Sequence, residues 1–269
     1  MTSDIQSFVS CAVDSRGIAR VSLNRPEKHN AFDDTMIAHM QSHFDGLAAR
    51  DDVRLVILQA QGKSFSAGGD LAWMQRMADF DYGHNLDDAR ALATMLHTLK
   101  TLPQPTIARV QGNAFGGAVG LISCCDIAIA STSALFGLTE TRMGLIPATI
   151  GPHVVEAIGA RWARRLFLTA ERFDAVRARD IHLIHECCDT DALDHCVDGI
   201  VQALLKNGPD AMRAAKQLIR DIAGKPVDAQ MIDDTSARIA HIRVSSEGQE
   251  GLQAFLQKRP PSWVPGDNE

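Results

Sequence analysis

The sequence predicts an α/β core followed by a helical C-terminal region. Strand-like apolar runs alternate with helical patterns through the first two-thirds of the 269 residues. Two Gly-rich turns each stand after a strand-like run and before a helix-like one. The last third, from about Thr149, is helical pattern alone.

Each element follows from local chemistry. Residues 8–13 and 18–23 are β-rich runs joined by Asp14-Ser15-Arg16-Gly17, a hairpin turn. A polar loop, Asn24-Arg25-Pro26-Glu27-Lys28-His29-Asn30, follows. Asp33 or Asp34 then caps a helix whose apolar residues Met36, Ile37, Met40, Phe44 and Leu47 recur at helical spacing. Residues 53–59 read as a buried strand, and the first glycine turn follows it. Helices are expected over 71–78 and 86–102, the second ended by Pro103 and Pro105. Residues 106–110 are the next strand and run into the second glycine turn. A short helix of small residues over 116–125, a strand over 126–130 and a β fragment over 134–136 come next. Helical patterns then cover 154–158, 162–168, 174–181, 192–205, 210–222, 231–244 and 249–257.

Composition limits the function classes. With 45% apolar and 22% charged residues, the chain is ordinary for a soluble protein and long enough to bury a sizeable core. A net charge of −6 argues against nucleic acid as a general partner, though a few local Lys and Arg can still meet an anionic ligand. Residues 1–7 lack the basic and apolar regions of a secretory signal. No uninterrupted apolar window is long enough for a membrane span. The six cysteines include two adjacent pairs and show neither C-x-x-C nor zinc-ligand spacing. They read as reduced thiols of a cytoplasmic protein. His182 and His185 have no evident third ligand, so no metal site is expected.

The chemistry lies in the turns Phe65-Ser66-Ala67-Gly68-Gly69-Asp70 and Asn113-Ala114-Phe115-Gly116-Gly117. Two such turns can aim two backbone N–H groups at one point, as a developing oxyanion requires. The plain alternative for each is a turn that needs positive φ. The pair points to an enzyme acting on a carbonyl compound.

Further motifs keep order with these: Asn24-Arg25-Pro26 with Asn30-Ala31, Cys125-Asp126-Ile127-Ala128, Phe136-Gly137-Leu138-Thr139-Glu140 and Gly144-Leu145-Ile146-Pro147. Together they resemble the crotonase superfamily, the enoyl-CoA hydratase/isomerase family. The resemblance implies an α/β crotonase-like spiral of ββα turns over residues 1–200. It also implies a helical extension over 201–269 that serves oligomerisation and part of the coenzyme A site. It implies acyl-CoA thioester substrates, with coenzyme A as part of the substrate and no separate cofactor, and homotrimers or homohexamers. The thioester oxygen would sit between the amides of Gly69 and Gly117. Glu140 falls on the family's second catalytic glutamate, where an apolar setting raises a carboxyl's pKa and lets it shuttle protons. Lys28, Ala67, Asp70 and Leu71 would bind coenzyme A mostly through backbone, with Phe255 and Lys258 of the last helix, from this chain or a neighbouring one. Trp73, Met74 and Met77 would line the acyl pocket, with a core role as the alternative. Gly116 and Gly120 complete the substrate-binding positions.

One departure stands out. Family hydratases place a first catalytic glutamate three positions after the oxyanion-hole glycine, and here that position is Gly120. Either Glu140 alone handles water and proton, or another group holds the water, or the reaction is one-base proton shuttling. A narrower resemblance bears on this. Gly69-Asp70-Leu71-Ala72-Trp73-Met74, Gly116-Gly117-Ala118-Val119-Gly120-Leu121 and residues 144–152 look like bacterial methylglutaconyl-CoA hydratases of leucine and isoprenoid breakdown. Such a substrate carries a distal carboxylate, and a missing enzyme carboxylate would remove repulsion and open space beside it. The expectation is therefore a hydratase of 3-methylglutaconyl-CoA. The rivals are a Δ3,Δ2-enoyl-CoA isomerase using Glu140 alone and a hydratase of a longer branched glutaconyl thioester. An RNA-binding or scaffold role is disfavoured by the net charge and the lack of a Lys/Arg-rich helix.

Overall fold

The computed structural model describes residues 8–264, so residues 1–7, read above for a secretory signal, lie outside it. The chain divides into two compact units. One runs through Leu102 and resumes over Thr106–Asp198; the other takes Pro103–Pro105 and the chain from Gly199 onward.

The first unit opens with the expected hairpin. Strands β1 (Val9–Val13) and β2 (Ile18–Leu23) pair antiparallel, with Val9 opposite Leu23. The Asp14 carboxylate accepts the N–H groups of Arg16 and Ile18 at 2.9 and 3.1 Å and shapes the turn. Helix α1 (Asp34–Ala48) is capped by Asp33, whose carboxylate accepts the Met36 N–H at 2.8 Å. It buries the stripe Met36, Ile37, Met40, Phe44 and Leu47.

Three ββα turns follow. The first is β3 (Leu55–Ala60), β4 (Ser64–Ser66), α2 (Leu71–Ala78) and α3 (Tyr82–Thr101). The second is β5 (Thr106–Val110), β6 (Asn113–Phe115) and α4 (Gly117–Cys124); the third is β7 (Ile127–Ser131), β8 (Leu135–Gly137) and α5 (Gly151–Thr169). The first strand of each turn joins a six-stranded sheet and the second joins a four-stranded one. Then β9 (Arg172–Asp174) and β10 (Glu186–Cys188), separated by α6 (Ala175–Asp180), add the last strand to each sheet. The orders are β1-β2-β3-β5-β7-β10 and β4-β6-β8-β9. Leu55, Val56, Ile57 and Leu58 of β3 are all buried, as a central parallel strand with both faces covered requires.

The structure corrects the reading of an all-helical last third, because β9 and β10 lie within it. Three-residue strands carry no readable alternation. Their partners define them: Phe173 sits opposite Phe136, and Cys187 opposite Ala130. The same holds for β4 and β6, which had read as parts of turns. Helix α3 starts at Tyr82 rather than residue 86 because Asp81 caps it through the His84 N–H at 2.9 Å. Within α5 the backbone of Gly159 is not helical, with φ of 72° and ψ of 156°, so the span is two helices meeting at a kink, as expected over 154–158 and 162–168.

The second unit is helical. It contains the end of α7 (Leu193–Leu205), then α8 (Pro209–Ile222), α9 (Ala229–Val244) and α10 (Ser246–Gln257). The Glu247 carboxylate on α10 accepts the Asp210 and Ala211 N–H groups at 3.0 and 2.8 Å, capping α8 from a neighbouring helix. Among the described residues no helix is long and apolar enough to cross a membrane.

The polar loop after β2 is tied down by Asn30, which is wholly buried. Its amide nitrogen donates to the carbonyls of Gln61 and Ser64 at 2.8 and 2.9 Å, and its Oδ1 accepts the Arg25 N–H at 2.8 Å. His29 and Asn30 both take φ of 53°, a left-handed conformation that Asn tolerates better than most residues. Asn30→Ala leaves the buried Arg25 N–H without its acceptor and takes a donor from the Gln61 and Ser64 carbonyls, the second of which keeps Gln111 at 3.1 Å. It should cost on the order of 3 kcal/mol of stability, measured by urea unfolding.

Candidate active site

Both glycine turns are built the same way. Gly68 and Gly116 take φ of +91° and +55°, the left-handed step at which a side chain would be strained. A Cβ on Gly68 would lie 3.1 Å from the Phe115 carbonyl oxygen, and one on Gly116 would lie 3.2 Å from Glu140 Oε1. The residues expected to act as donors, Gly69 and Gly117, come next and do not have positive φ. Turn geometry therefore accounts for the first glycine of each pair and not for the second.

Phe32 fixes the direction of the Gly69 amide. Its N–H donates to the Gly68 carbonyl and its carbonyl accepts the Asp70 N–H, both at 2.7 Å, forming a parallel bridge to Gly69. Neighbouring residues of an extended chain alternate the sides of their backbone groups, so the Gly69 N–H faces away from Phe32. Gly117 is the first residue of α4, where an N–H has no acceptor within the helix. Among the described residues neither amide donates in a turn, loop or cap hydrogen bond. Gly69 is flanked by Met74 and Trp73: a Cβ there would meet Met74 Cγ at 3.4 Å and Trp73 Cε3 at 3.7 Å.

Glu140 opens a short 3-10 helix, Glu140–Met143, directly after the strand that pairs with β6. Burial pushes its carboxyl above the usual glutamate range, and the bond from its own backbone N–H only partly opposes this. Oε2 is buried and, among the described residues, has no hydrogen-bond partner. The site thus holds a carboxyl that resists ionisation, beside a turn whose next amide is unused. Such a group can take and return a proton.

The Gly120 position is not open space. A Cβ there would lie 2.3 Å from Ile150 Cγ2 and 2.8 Å from Ile150 Cβ. Ile150, 2% exposed, fills the position where the resemblance leads one to look for a carboxylate. The expected room beside a distal substrate carboxylate is corrected accordingly.

A buried ion network lies next to the first turn. Arg25, 8% exposed, reaches Asp33 Oδ2 at 2.6 Å and Asp70 Oδ2 at 3.3 Å, and Lys28 Nζ reaches the same Asp70 oxygen at 3.1 Å. Asp70 Oδ1 accepts the Ala72 and Trp73 N–H groups and caps α2. Burial alone would raise the Asp70 carboxyl. The Lys28 hydrogen bond, these two N–H groups and the Arg25 charge outweigh it and hold the carboxyl below the usual range.

Of the other expected substrate-binding residues, Ala67 is exposed and donates its N–H to the His29 carbonyl. Leu71 is exposed, Met74 and Met77 are half-buried, and Trp73 is buried with its indole N–H on Asp88 at 3.0 Å. Phe255 and Lys258 belong to the other unit, where Phe255 is exposed and Lys258 ends α10 in a left-handed conformation. Arg25, Phe32 and Ile150 were missed as site residues. Arg25 and Asn30-Ala31 stood in a recognised motif, but nothing local signals that the next residue, Phe32, meets both glycine turns. A surface cavity of about 500 Å³ lined by Trp162, Arg165, Arg172 and Arg177 is separate: Gly69, Gly117 and Glu140 do not line it. The two unused amides and the Glu140 carboxyl that burial raises make up the candidate chemical site.

The model of the enoyl-CoA hydratase/isomerase family matches residues 14–266. The chain belongs to this family. The solved structure of an enoyl-CoA hydratase from Shewanella pealeana superposes with a TM-score of 0.92 at 47% identity, covering 95% of this chain and 96% of that one. The mitochondrial methylglutaconyl-CoA hydratase of Homo sapiens is 31% identical over 93% of this chain and 74% of its own length. The trans-2-decenoyl-[acyl-carrier-protein] isomerase of Streptococcus mutans is 28% identical over 92% of this chain and 95% of its own. The paired sheets and helical C-terminal region are thus a crotonase fold.

Two predictions follow from the two carboxylate positions of the family. Gly120→Glu must displace Ile150 and should lose about 1–3 kcal/mol by overpacking, and adding Ile150→Ala should restore part of that loss in thermal melts. The raised Glu140 pKa means that the folded chain holds this proton more tightly than the unfolded one. Stability from this group is therefore full below the ordinary carboxylate range and is lost as pH rises through the raised value. Glu140→Gln should melt at a higher temperature than the wild type near neutral pH, and the gap should close below a pH of about 4.

Proposed function

We propose that this protein is a cytoplasmic acyl-CoA hydratase that adds water across the 2,3-double bond of an unsaturated thioester, with 3-methylglutaconyl-CoA as its preferred substrate. The observation that carries this reading is Glu140 Oε2, buried and without a hydrogen-bond partner among the described residues, beside the Gly116-Gly117 turn. The Glu140 carboxylate takes a proton from water as the hydroxyl oxygen bonds to C3. The double-bond electrons move onto the thioester oxygen, which the Gly69 and Gly117 amides hold as an enolate. The protonated Glu140 then returns the proton to C2. One carboxyl completes the cycle, and no second one is needed to balance it. Lys28 meets a phosphate of coenzyme A, and Lys258 and Phe255 serve the coenzyme A site of a neighbouring subunit. The helical C-terminal region builds a homotrimer or homohexamer. The likeness to the human methylglutaconyl-CoA hydratase supports the acyl group.

Ile150 favours a second reading. With an apolar side chain filling the Gly120 position, the site has one carboxylate and one apolar wall there. That suits an isomerase in which Glu140 removes a C2 proton and returns it to C4. A panel of 2-enoyl- and 3-enoyl-CoA esters, read by mass spectrometry, decides between them. A product heavier by one water supports the hydratase, and a product of unchanged mass with a moved double bond supports the isomerase. In either case Glu140→Gln should lower kcat by about 10²–10⁴ with little change in affinity for coenzyme A. Near-normal turnover would remove Glu140 from the mechanism.

Turnover by the wild type should also fall as pH drops through a value above the ordinary glutamate range, because the reaction starts from the ionised carboxylate. A kcat/KM profile against pH checks this.

A further inference from the structure

We infer that Phe32 is a positioning residue that holds both oxyanion donors at once, by its backbone on one side and its ring on the other. This rests on the enolate reading above. The backbone part is the bridge already described, which orients the Gly69 amide through bonds to Gly68 and Asp70 at 2.7 Å. The ring part lies at the second turn. A Cβ on Gly117 would sit 2.7 Å from Phe32 Cε2 and 2.9 Å from Cδ2, so the ring packs against the bare Cα that carries the second amide.

The same contact accounts for the glycine at 117. Its φ is not in the left-handed region, so the backbone would accept another residue. The Phe32 ring is what excludes a side chain there. Gly69 differs, because a Cβ at that position meets only Met74 and Trp73 at ordinary contact distances.

Phe32 is itself firmly held. It is 1% exposed and belongs to the hydrophobic core of the first unit. Asn30 precedes it, bonded to Gln61 and Ser64, and Asp33 follows it, paired with Arg25 and capping α1. Its backbone cannot shift without breaking one of these. A rigid ring between two donors keeps their separation constant while charge builds on the oxygen they share, and preorganisation of this kind is the source of oxyanion-hole stabilisation.

The test uses Gly117→Ala, Phe32→Leu, Phe32→Ala and the double variant Gly117→Ala/Phe32→Ala, each checked for folding by circular dichroism. Two readouts are taken: kcat and KM on the enoyl-CoA that the wild type turns over, and exchange of the C2 protons of the matching saturated acyl-CoA in deuterated water. Gly117→Ala, with Phe32 intact, should lose about 10²–10³ in kcat as the ring pushes the amide out of place. The double variant should recover at least tenfold over Gly117→Ala. Phe32→Leu should lower kcat and exchange together by about tenfold while KM moves less than threefold, which a merely structural role would not produce. Wild-type kcat and exchange in Gly117→Ala would overturn the inference, and so would a double variant no better than Gly117→Ala. Should the Phe32 variants not fold, Gly117→Ala alone decides.

The enolate reading fails separately. It falls if the wild type turns over enoyl-CoA without exchanging the saturated analogue, or if a folded Gly117→Pro, which lacks the amide, is fully active. If the wild type exchanges and Gly117→Pro does not, yet the Phe32 and Gly117→Ala variants match the wild type, only the role given to Phe32 is lost.

Discussion

The buried Arg25 guanidinium is the interaction on which the site depends. It bridges Asp33 and Asp70, and each of these carboxylates caps a helix, α1 and α2 respectively. Phe32 and Gly69 are the immediate chain neighbours of those two caps and are bridged to one another. One cation thus joins two helix starts and the first oxyanion turn. Removing it would leave two buried carboxylates with reduced compensation, a loss of about 3–5 kcal/mol for a broken buried pair. Such a network is weak evidence of net stability. Its consequence is geometric, because one guanidinium holds the carboxylates that start α1 and α2.

The site also shows how a repeated fold yields a pair of donors. Successive ββα turns lay β4 and β6 side by side in the small sheet, with Ser64 opposite Asn113 and Ser66 opposite Ala114. The Gly-Gly step after each strand therefore recurs one strand over. In each pair the first glycine makes the left-handed turn and the second presents its amide. Close approach follows, since Gly68 lies against the Phe115 carbonyl.

Glu140 works in the opposite electrostatic sense to Asp70. Asp70 is surrounded by donors and cations that hold its carboxyl below the usual range, whereas Glu140 has a buried oxygen with no partner among the described residues and burial raises its carboxyl. One serves the frame, and the other is the proposed proton carrier. The division comes from what surrounds each group and not from residue type. Ile150 sharpens it by keeping the Gly120 position apolar, so that no second carboxylate competes for the proton of Glu140 there.

The sequence by itself determined the α/β class, the hairpin, the α1 stripe, the central strands of the large sheet and the two glycine turns. These signals are local: apolar periodicity, turn residues and capping residues lie within a few positions of what they specify. Ordered motifs also pointed to Gly69, Gly117 and Glu140 as candidates and exposed Gly120 as a departure. The remainder rests on contacts between distant segments. The three-residue strands β9 and β10 exist because Phe136 and Ala130 offer them a sheet edge. The Gly120 position is filled because Ile150, thirty residues on, packs into it. The Asp70 carboxylate is taken up by Arg25, Lys28 and the start of α2. Phe32 reaches Gly117 across more than eighty residues of chain. Contacts of that separation leave no periodic or compositional trace, because they are set by the packing of elements whose positions the whole fold must supply.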